Sequence, residues 1–268
     1  MLKKNILFLI YLATFVFAAD VSAQILIEEG KIKLTIAPQS VARGKLSIHN
    51  TSADPLRLRV YLEDFQYLPP YDGKKKFFPA GATQNSLSAY LNFAPKEINL
   101  PPYAKENVEY SIKLPAGASG GYYGVLFAET AGGNRQGEIA VNIVTRVGAL
   151  LFIEAKERKK AAQVDNFKFT AGKIQGGFSN TGDVILIPHG VYYFLTTTGM
   201  AVDRGEIASF YLPPGGQTNF EIMLNPKAPP GDYTCVVTFD LEDGDSITRE
   251  IKFSKDVTGS FQIQKISE

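Results

Sequence analysis

Short runs of alternating apolar and polar residues recur along the chain, each closed by Gly, Pro, Asn or Asp. Leu56-Arg57-Leu58-Arg59-Val60-Tyr61-Leu62 shows the pattern most clearly. Its period of two is that of a half-buried strand, not a helix. The run before it, Lys45-Leu46-Ser47-Ile48, closes on the turn signal Asn50-Thr51-Ser52. Comparable runs fall at 108–114, 122–129, 138–154, 184–195, 219–224, 233–241 and 246–253. Short strands at regular spacing predict an all-β chain built of two sandwiches of roughly 100 residues each.

An internal repeat supports the pair. Asn50-Thr51-Ser52 matches Asn180-Thr181-Gly182, and Leu100-Pro101-Pro102 matches Leu212-Pro213-Pro214. Gly121-Tyr122 matches Asp232-Tyr233. From Leu to Tyr the two copies differ by one residue, 22 against 21; from Asn to Leu they differ by 18, 50 against 32. The excess falls on residues 65–88, rich in Pro, Gly and Lys, which read as an inserted loop. Tyr122 and Tyr233 each open an apolar strand, where immunoglobulin-like sandwiches place a tyrosine whose hydroxyl bonds back to the connecting loop. Residues 24–155 are therefore expected to form the first immunoglobulin-like β-sandwich and 161–255 the second. The charge run Lys156-Glu157-Arg158-Lys159-Lys160 reads as a solvated linker between them. Residues 256–268 are left as a tail, open to pairing as an edge-covering strand.

The amino end carries Lys3 and Lys4, an apolar run from Ile6 to Ala19, and Val21-Ser22-Ala23 as a small-residue cleavage site. This reads as an export signal over residues 1–23, with the mature protein starting near Gln24. The expected location is periplasmic, secreted or cell-surface, with no membrane span in the mature chain. Lys+Arg number 28 and Asp+Glu 27; without Lys3, Lys4 and Asp20 the balance is 26 to 26. A neutral chain argues against nucleic acid as a partner, since binding phosphates takes a basic excess.

No constellation points to catalysis, and no cofactor or metal is expected. His49 and His189 are 140 residues apart. The lone Cys235 sits among apolar neighbours as a small buried hydrophobe. In the acidic group Asp240, Glu242, Asp243 and Asp245, the spacing to Gly244 misfits a calcium loop. Asp243-Gly244 reads instead as a two-residue hairpin turn.

Residues 138–154 (EIAVNIVTRVGALLFIE) are long for a strand. The odd face, from Ile139, Val141 and Ile143 through Ile153, is apolar except for Thr145. Such a strand either lies in a core or pairs with a guest chain at a sheet edge. Arg146, mid-strand among apolar neighbours, needs a carboxylate: one from its own chain, or a ligand's gripped bidentately.

Two sandwiches after an export signal, the first ending in such a strand, resemble the periplasmic pilus-assembly chaperones of the PapD-like group. Ile143-Val144-Thr145-Arg146-Val147-Gly148 resembles that family's apolar-x-Thr-Lys-Ile-Lys strand. The resemblance implies a non-enzymatic chaperone that completes a pilin-like subunit by lending alternate side chains, here Ile139, Val141 and Ile143. It also implies a basic pair holding the subunit's terminal carboxylate. Arg146 matches one basic residue of the strand, while the anchoring lysine falls on Gly148. The first-strand arginine has no match in Leu34-Thr35-Ile36-Ala37-Pro38-Gln39, with Arg43 the nearest base.

A second stretch, Phe93-Ala94-Pro95-Lys96-Glu97-Ile98-Asn99-Leu100-Pro101-Pro102, is similar to the first domain of Gram-positive cell-surface proteins that bind peptidoglycan-associated partners. Those proteins usually end in a membrane span, and none precedes Glu268. The alternative function is thus a cell-surface or periplasmic interaction module. A lending strand should lie at an edge with its odd face exposed; in a spacer module that face should be packed against its own sheet.

Overall fold

The computed structural model describes residues 24–131, 144–170, 172–225, 228–243 and 245–267. Every element among them is a strand. The first ten are β1 (Ile25–Ile27), β2 (Lys31–Ile36), β3 (Val41–Asn50), β4 (Leu56–Tyr67), β5 (Lys75–Pro79), β6 (Leu91–Ala94), β7 (Glu97–Leu100), β8 (Lys105–Lys113), β9 (Gly121–Thr130) and β10 (Arg146–Ala155). They form two sheets, β1-β3-β8-β6 and β2-β10-β9-β4-β5, with β7 paired on β4. The inward positions that the alternation marks (Leu46, Ile48, Val108, Ile112, Leu126, Leu151 and Ile153) are fully buried between them. The second sandwich packs β11 (Ala162–Thr170), β12 (Lys173–Asn180) and β15 (Gln217–Met223) against a five-stranded sheet. That sheet comprises β13 (His189–Thr196), β14 (Ala201–Ile207), β16 (Gly231–Asp240), β17 (Ser246–Lys255) and β18 (Phe261–Ser267).

The repeated motifs meet in space in the same way in both sandwiches. Asn50 Nδ2 donates to the carbonyls of Asp54 (2.7 Å), Pro101 (2.9 Å) and Leu100, while its Oδ1 accepts from Ser52 N–H at 2.9 Å. Asn180 Nδ2 donates to Val184 (2.8 Å) and Leu212 (2.9 Å), and its Oδ1 accepts from Gly182 N–H at 2.9 Å. Each asparagine is 2% exposed and ties the end of its strand to the Leu-Pro-Pro turn. Tyr233 donates its hydroxyl to Pro229 O at 2.7 Å, the loop contact its position predicts.

Three local expectations change, and the open question of the tail is answered. Residues 65–88 are not a plain loop: β5 pairs along the end of β4, Glu63–Tyr67 against Lys75–Pro79. The rest folds round the buried Asp64, whose carboxylate accepts from Thr83 N–H (2.8 Å), Thr83 Oγ1 (3.0 Å) and Ser86 Oγ (2.7 Å). The same insert reaches the second sandwich. Tyr211 N–H donates to Tyr71 O at 2.8 Å, Thr218 Oγ1 to Pro70 O at 3.3 Å, and the rings of Tyr67 and Tyr211 stack 4.8 Å apart. Beyond residue 255, the tail forms β18 on the edge of β17. The turn after β16 is longer than two residues, because Leu241 N–H donates to Asp245 O and both Glu242 and Asp243 take positive φ.

The charge run 156–160 is solvated only in part: Lys156, Glu157 and Lys159 are exposed, whereas Arg158 and Lys160 are drawn into ion pairs. Lys160 is 3% and Arg158 18% exposed at the side chain. Arg158 Nη2 lies 2.5 Å from Asp243 Oδ2, and Lys160 Nζ lies 2.7 Å from the same oxygen and 3.2 Å from Glu242. Glu154, 2% exposed, sits 3.5 Å from Lys33 and 2.7 Å from Arg158 Nε, the latter a charge contact poorly aligned for a hydrogen bond. Lys33 also reaches Glu242. Three cations thus balance three carboxylates from β2, β10, the linker and the β16–β17 turn, and each is costly to bury alone.

Lys160 and Arg158 hold Asp243 well below the usual carboxylate range, at about 2. Burial works to raise Glu242, but Lys33 and Lys160 outweigh it and its pKa is lowered. A carboxylate with a folded pKa below its unfolded one contributes stability above the unfolded value, and that contribution fades as pH falls through the folded pKa. Melting temperature should therefore drop between pH 5 and about 2, by a few degrees only because Asp243 is half-exposed and screened. Melts of Asp243→Asn across that range should show a lower starting value and a shallower decline; an identical pH profile would disprove the coupling.

Candidate partner-binding site

β10 is paired unequally on its two sides. Along β9 it pairs from Arg146 to Glu154, whereas β2 runs parallel to it only from Leu150 to Ala155. Leu150 N–H donates to Gly30 O at 3.0 Å, and β2 pairing begins there. The backbone edge of Arg146–Ala149 away from β9 therefore has no pairing strand among the described residues. An open edge is what a guest strand needs. The expected donor side chains Ile139, Val141 and Ile143, with the rest of residues 138–143, lie outside the described residues.

The described odd positions do not match the exposure expected of a lending strand. Ala149, Leu151 and Ile153 are fully buried and Val147 packs partly against the same core. From 147 onward, the odd face is sealed between the two sheets.

The even positions of β10 lie on the outer face of their sheet, turned toward the second sandwich. Phe152 there joins Phe65, Tyr67, Tyr123, Val125 and Phe127 in a separate buried cluster, with Leu150, Ile185 and Tyr211 packed against it. Gly148, where the family resemblance places a lysine, has no room for a side chain: a Cβ would lie 2.7 Å from the Phe127 ring and 2.8 Å from Val125 Cγ2.

Arg146 has an intramolecular carboxylate. Its Nη1 lies 3.2 Å from Glu63 Oε1 and 3.3 Å from the Tyr61 hydroxyl, and its guanidinium stands 3.9 Å over the Phe127 ring. Phe77 of β5 stands 5.5 Å from it and meets the Phe127 ring edge-on at 5.2 Å. Arg43 lies on β3, in the other sheet.

Sequence reasoning missed Lys31. It is exposed at the start of β2, in register with Leu150, with its Nζ 4.8 Å over the Phe152 ring. No carboxylate pairs with it among the described residues. The alternation Lys31-Ile32-Lys33-Leu34-Thr35-Ile36 carried the signal, a strand with one basic face. Its adjacency to β10 is a parallel pairing across 119 residues, which no local pattern encodes.

His49 lies 2.9 Å from Glu28, Cys235 is fully buried with its thiol pushed up to about 12 by desolvation, and no metal-binding group of side chains occurs among the described residues. Among the described residues there is no helix long and apolar enough to cross a membrane.

No protein-family model matches the chain, and neither does any curated protein. Solved structures do. The crystal structure of the class 5 fimbriae chaperone CfaA superposes with a TM-score of 0.53 at 13% identity, covering 84% of this chain and 97% of that one. A chain from the chaperone–tip adhesin complex of CFA/I fimbriae biogenesis gives 0.52 at 13% identity, covering 91% and 100%. At such identity the likeness is one of fold: this chain has the two-sandwich architecture of fimbrial chaperones along nearly the whole of theirs.

Proposed function

We propose that the protein is an exported, non-enzymatic assembly chaperone that captures a pilin-like or surface-fibre subunit by edge-strand pairing. The observation that carries this reading is the open backbone edge of Arg146–Ala149, continuous in sequence with the apolar alternation of Ile139, Val141 and Ile143. Capture would extend the guest pairing back along 138–149. Fold likeness to CfaA supports the class of function.

The carboxylate contact that the resemblance implies for Arg146 falls better to Lys31, a reassignment that rests on their partners. Arg146 spends its charge on Glu63 and Tyr61, whereas Lys31 offers an unpaired ammonium on the same outer face. Lys31→Ala should weaken capture about tenfold, the worth of one charge-assisted hydrogen bond at an exposed site. Arg146→Ala should instead lower stability by about 1–2 kcal/mol through lost contacts with Glu63 and the Phe127 ring. Paired binding titrations and thermal melts separate the two, and equal effects on capture would refute the reassignment.

The direct test is a pull-down from the producing cell's envelope fraction with tagged protein starting at Gln24, followed by mass spectrometry. One small β-rich exported subunit at near one-to-one ratio is the expected result. Recovery of nothing, or of glycan-bearing wall fragments, would favour an adhesive or spacer module, the reading that the sealed odd face of 147–153 supports.

A further inference from the structure

The second sandwich has two outer faces of opposite character. On the three-stranded sheet the outward positions Gln175, Ser179, Gln217, Asn219 and Glu221 are polar, the mark of a solvated face. On the five-stranded sheet, β13 is apolar on both sides. Tyr192 and Phe194 turn inward to the core, so Val191, Tyr193 and Leu195 turn outward. A strand that reads as a continuous apolar run belongs to a sheet covered on both faces. None of the described strands lies over this outer face, and Tyr193 on it is 42% exposed.

The register sets the outward side chains in rows across β14, β13, β16 and β17. The middle row runs Arg204, Tyr193, Val236, Glu250. On one flank lie Glu206, Val191, Thr238 and Thr248, with the two threonine hydroxyls 3.0 Å apart. On the other flank lie Ala201, Leu195, Thr234 and Lys252. The centre is thus apolar and threonine-lined with four charges at its rim, the division found in protein interfaces. None of the four charges has an ion-pair partner among the described residues. Their order selects the occupant. A two-fold axis along the strands, between β13 and β16, lays β14 of one copy over β17 of the other. Arg204 then meets Glu250 twice, and Tyr193 meets Val236 twice, as a closed two-fold contact requires. Glu206 falls opposite Thr248 and Lys252 opposite Ala201, so no like charges are opposed. A rim with opposite signs at the two ends of one row complements itself, whereas an anionic lipid surface would select basic residues alone.

We infer that this outer face of the second sandwich is a self-association surface, on which a second copy of the chain packs face to face about that axis. The inference does not depend on strand capture, because β10 takes no part in it. Sedimentation of the chain from Gln24 to Glu268 should show a monomer–dimer equilibrium with Kd on the order of 10 μM. Arg204→Glu and Glu250→Arg should each weaken it at least about tenfold, since each sets two like-charge pairs across the contact. The variant carrying both changes should return to within about threefold of the starting Kd, because the reversed pairs match again. A folding defect cannot produce that recovery. Tyr193→Ser with Val236→Ser should leave only monomer at about 200 μM. The inference is overturned if the unaltered chain is still monomeric at about 500 μM, or if the charge reversals leave Kd unchanged. Failure of the double reversal to recover would overturn it too, by removing the pairing that defines the axis. It is equally overturned if the chain is monomeric and the Tyr193, Val236 variant instead loses co-sedimentation with phosphatidylglycerol vesicles, which would make the face a lipid contact.

Discussion

Asn180→Ala should lower the unfolding free energy of the second sandwich by about 3–5 kcal/mol, one of the largest single-residue effects available in the chain. The side chain is 2% exposed and satisfies three backbone groups at once: the carbonyls of Val184 and Leu212 and the N–H of Gly182. Alanine leaves Val184 O and Gly182 N–H without that partner, while Leu212 O keeps Leu186 N–H, and a buried orphan costs about 1–3 kcal/mol each before water partly repairs the loss. Asn180→Asp should be no better, because a carboxylate has no donors to offer two carbonyls. Asn50→Ala should act equivalently on the first sandwich, losing Asp54 O, Leu100 O, Pro101 O and Ser52 N–H. The double variant should sum the two losses to within about 0.5 kcal/mol, since the sites share no partner. Urea unfolding of the four proteins measures this, and a loss below about 1 kcal/mol for either single change would contradict the role given to these asparagines.

Val141→Asp with Ile143→Asp should abolish partner capture, more than about 100-fold, while leaving the melting temperature near its starting value. The comparison that gives this meaning is Leu151→Asp with Ile153→Asp. Both pairs lie on the odd face of one sequence run, but Leu151 and Ile153 are fully buried between the sheets, so carboxylates there should unfold the first sandwich. If both pairs unfold the protein, residues 138–145 serve the core as 147–153 do, and strand lending is refuted. If neither pair affects capture, the binding surface lies elsewhere.

The alternation of apolar positions was enough to read an all-β tandem of sandwiches. Asn-Thr and Leu-Pro-Pro were legible as a repeat because each pair is one hydrogen-bonded unit, written twice. What escaped depends on partners distant in sequence. Lys160 reads as solvated in a run of five charges, yet Glu242 and Asp243 arrive from a turn some eighty residues later and bury it. Lys31 faces Phe152 only because β2 leaves the sheet of β1 and lies parallel to β10. Gly148 read as a missing anchor; the Phe127 ring and Val125 already occupy the space where a side chain would stand. Arg146 was read as needing a carboxylate, but nothing local singles out Glu63 on β4 as the one that meets it.

The insert of residues 65–88 imposes an order of events as well as a contact. Its Pro70 and Tyr71 carbonyls are bonded by Thr218 and Tyr211, which follow by roughly 140 residues. A chain that emerges amino end first can complete the strands of its leading sandwich long before those two residues exist. Through that interval the insert has no docking partner, and the aromatic face behind it lacks its second wall. The junction therefore closes late, and its closure reports that the trailing sandwich has folded.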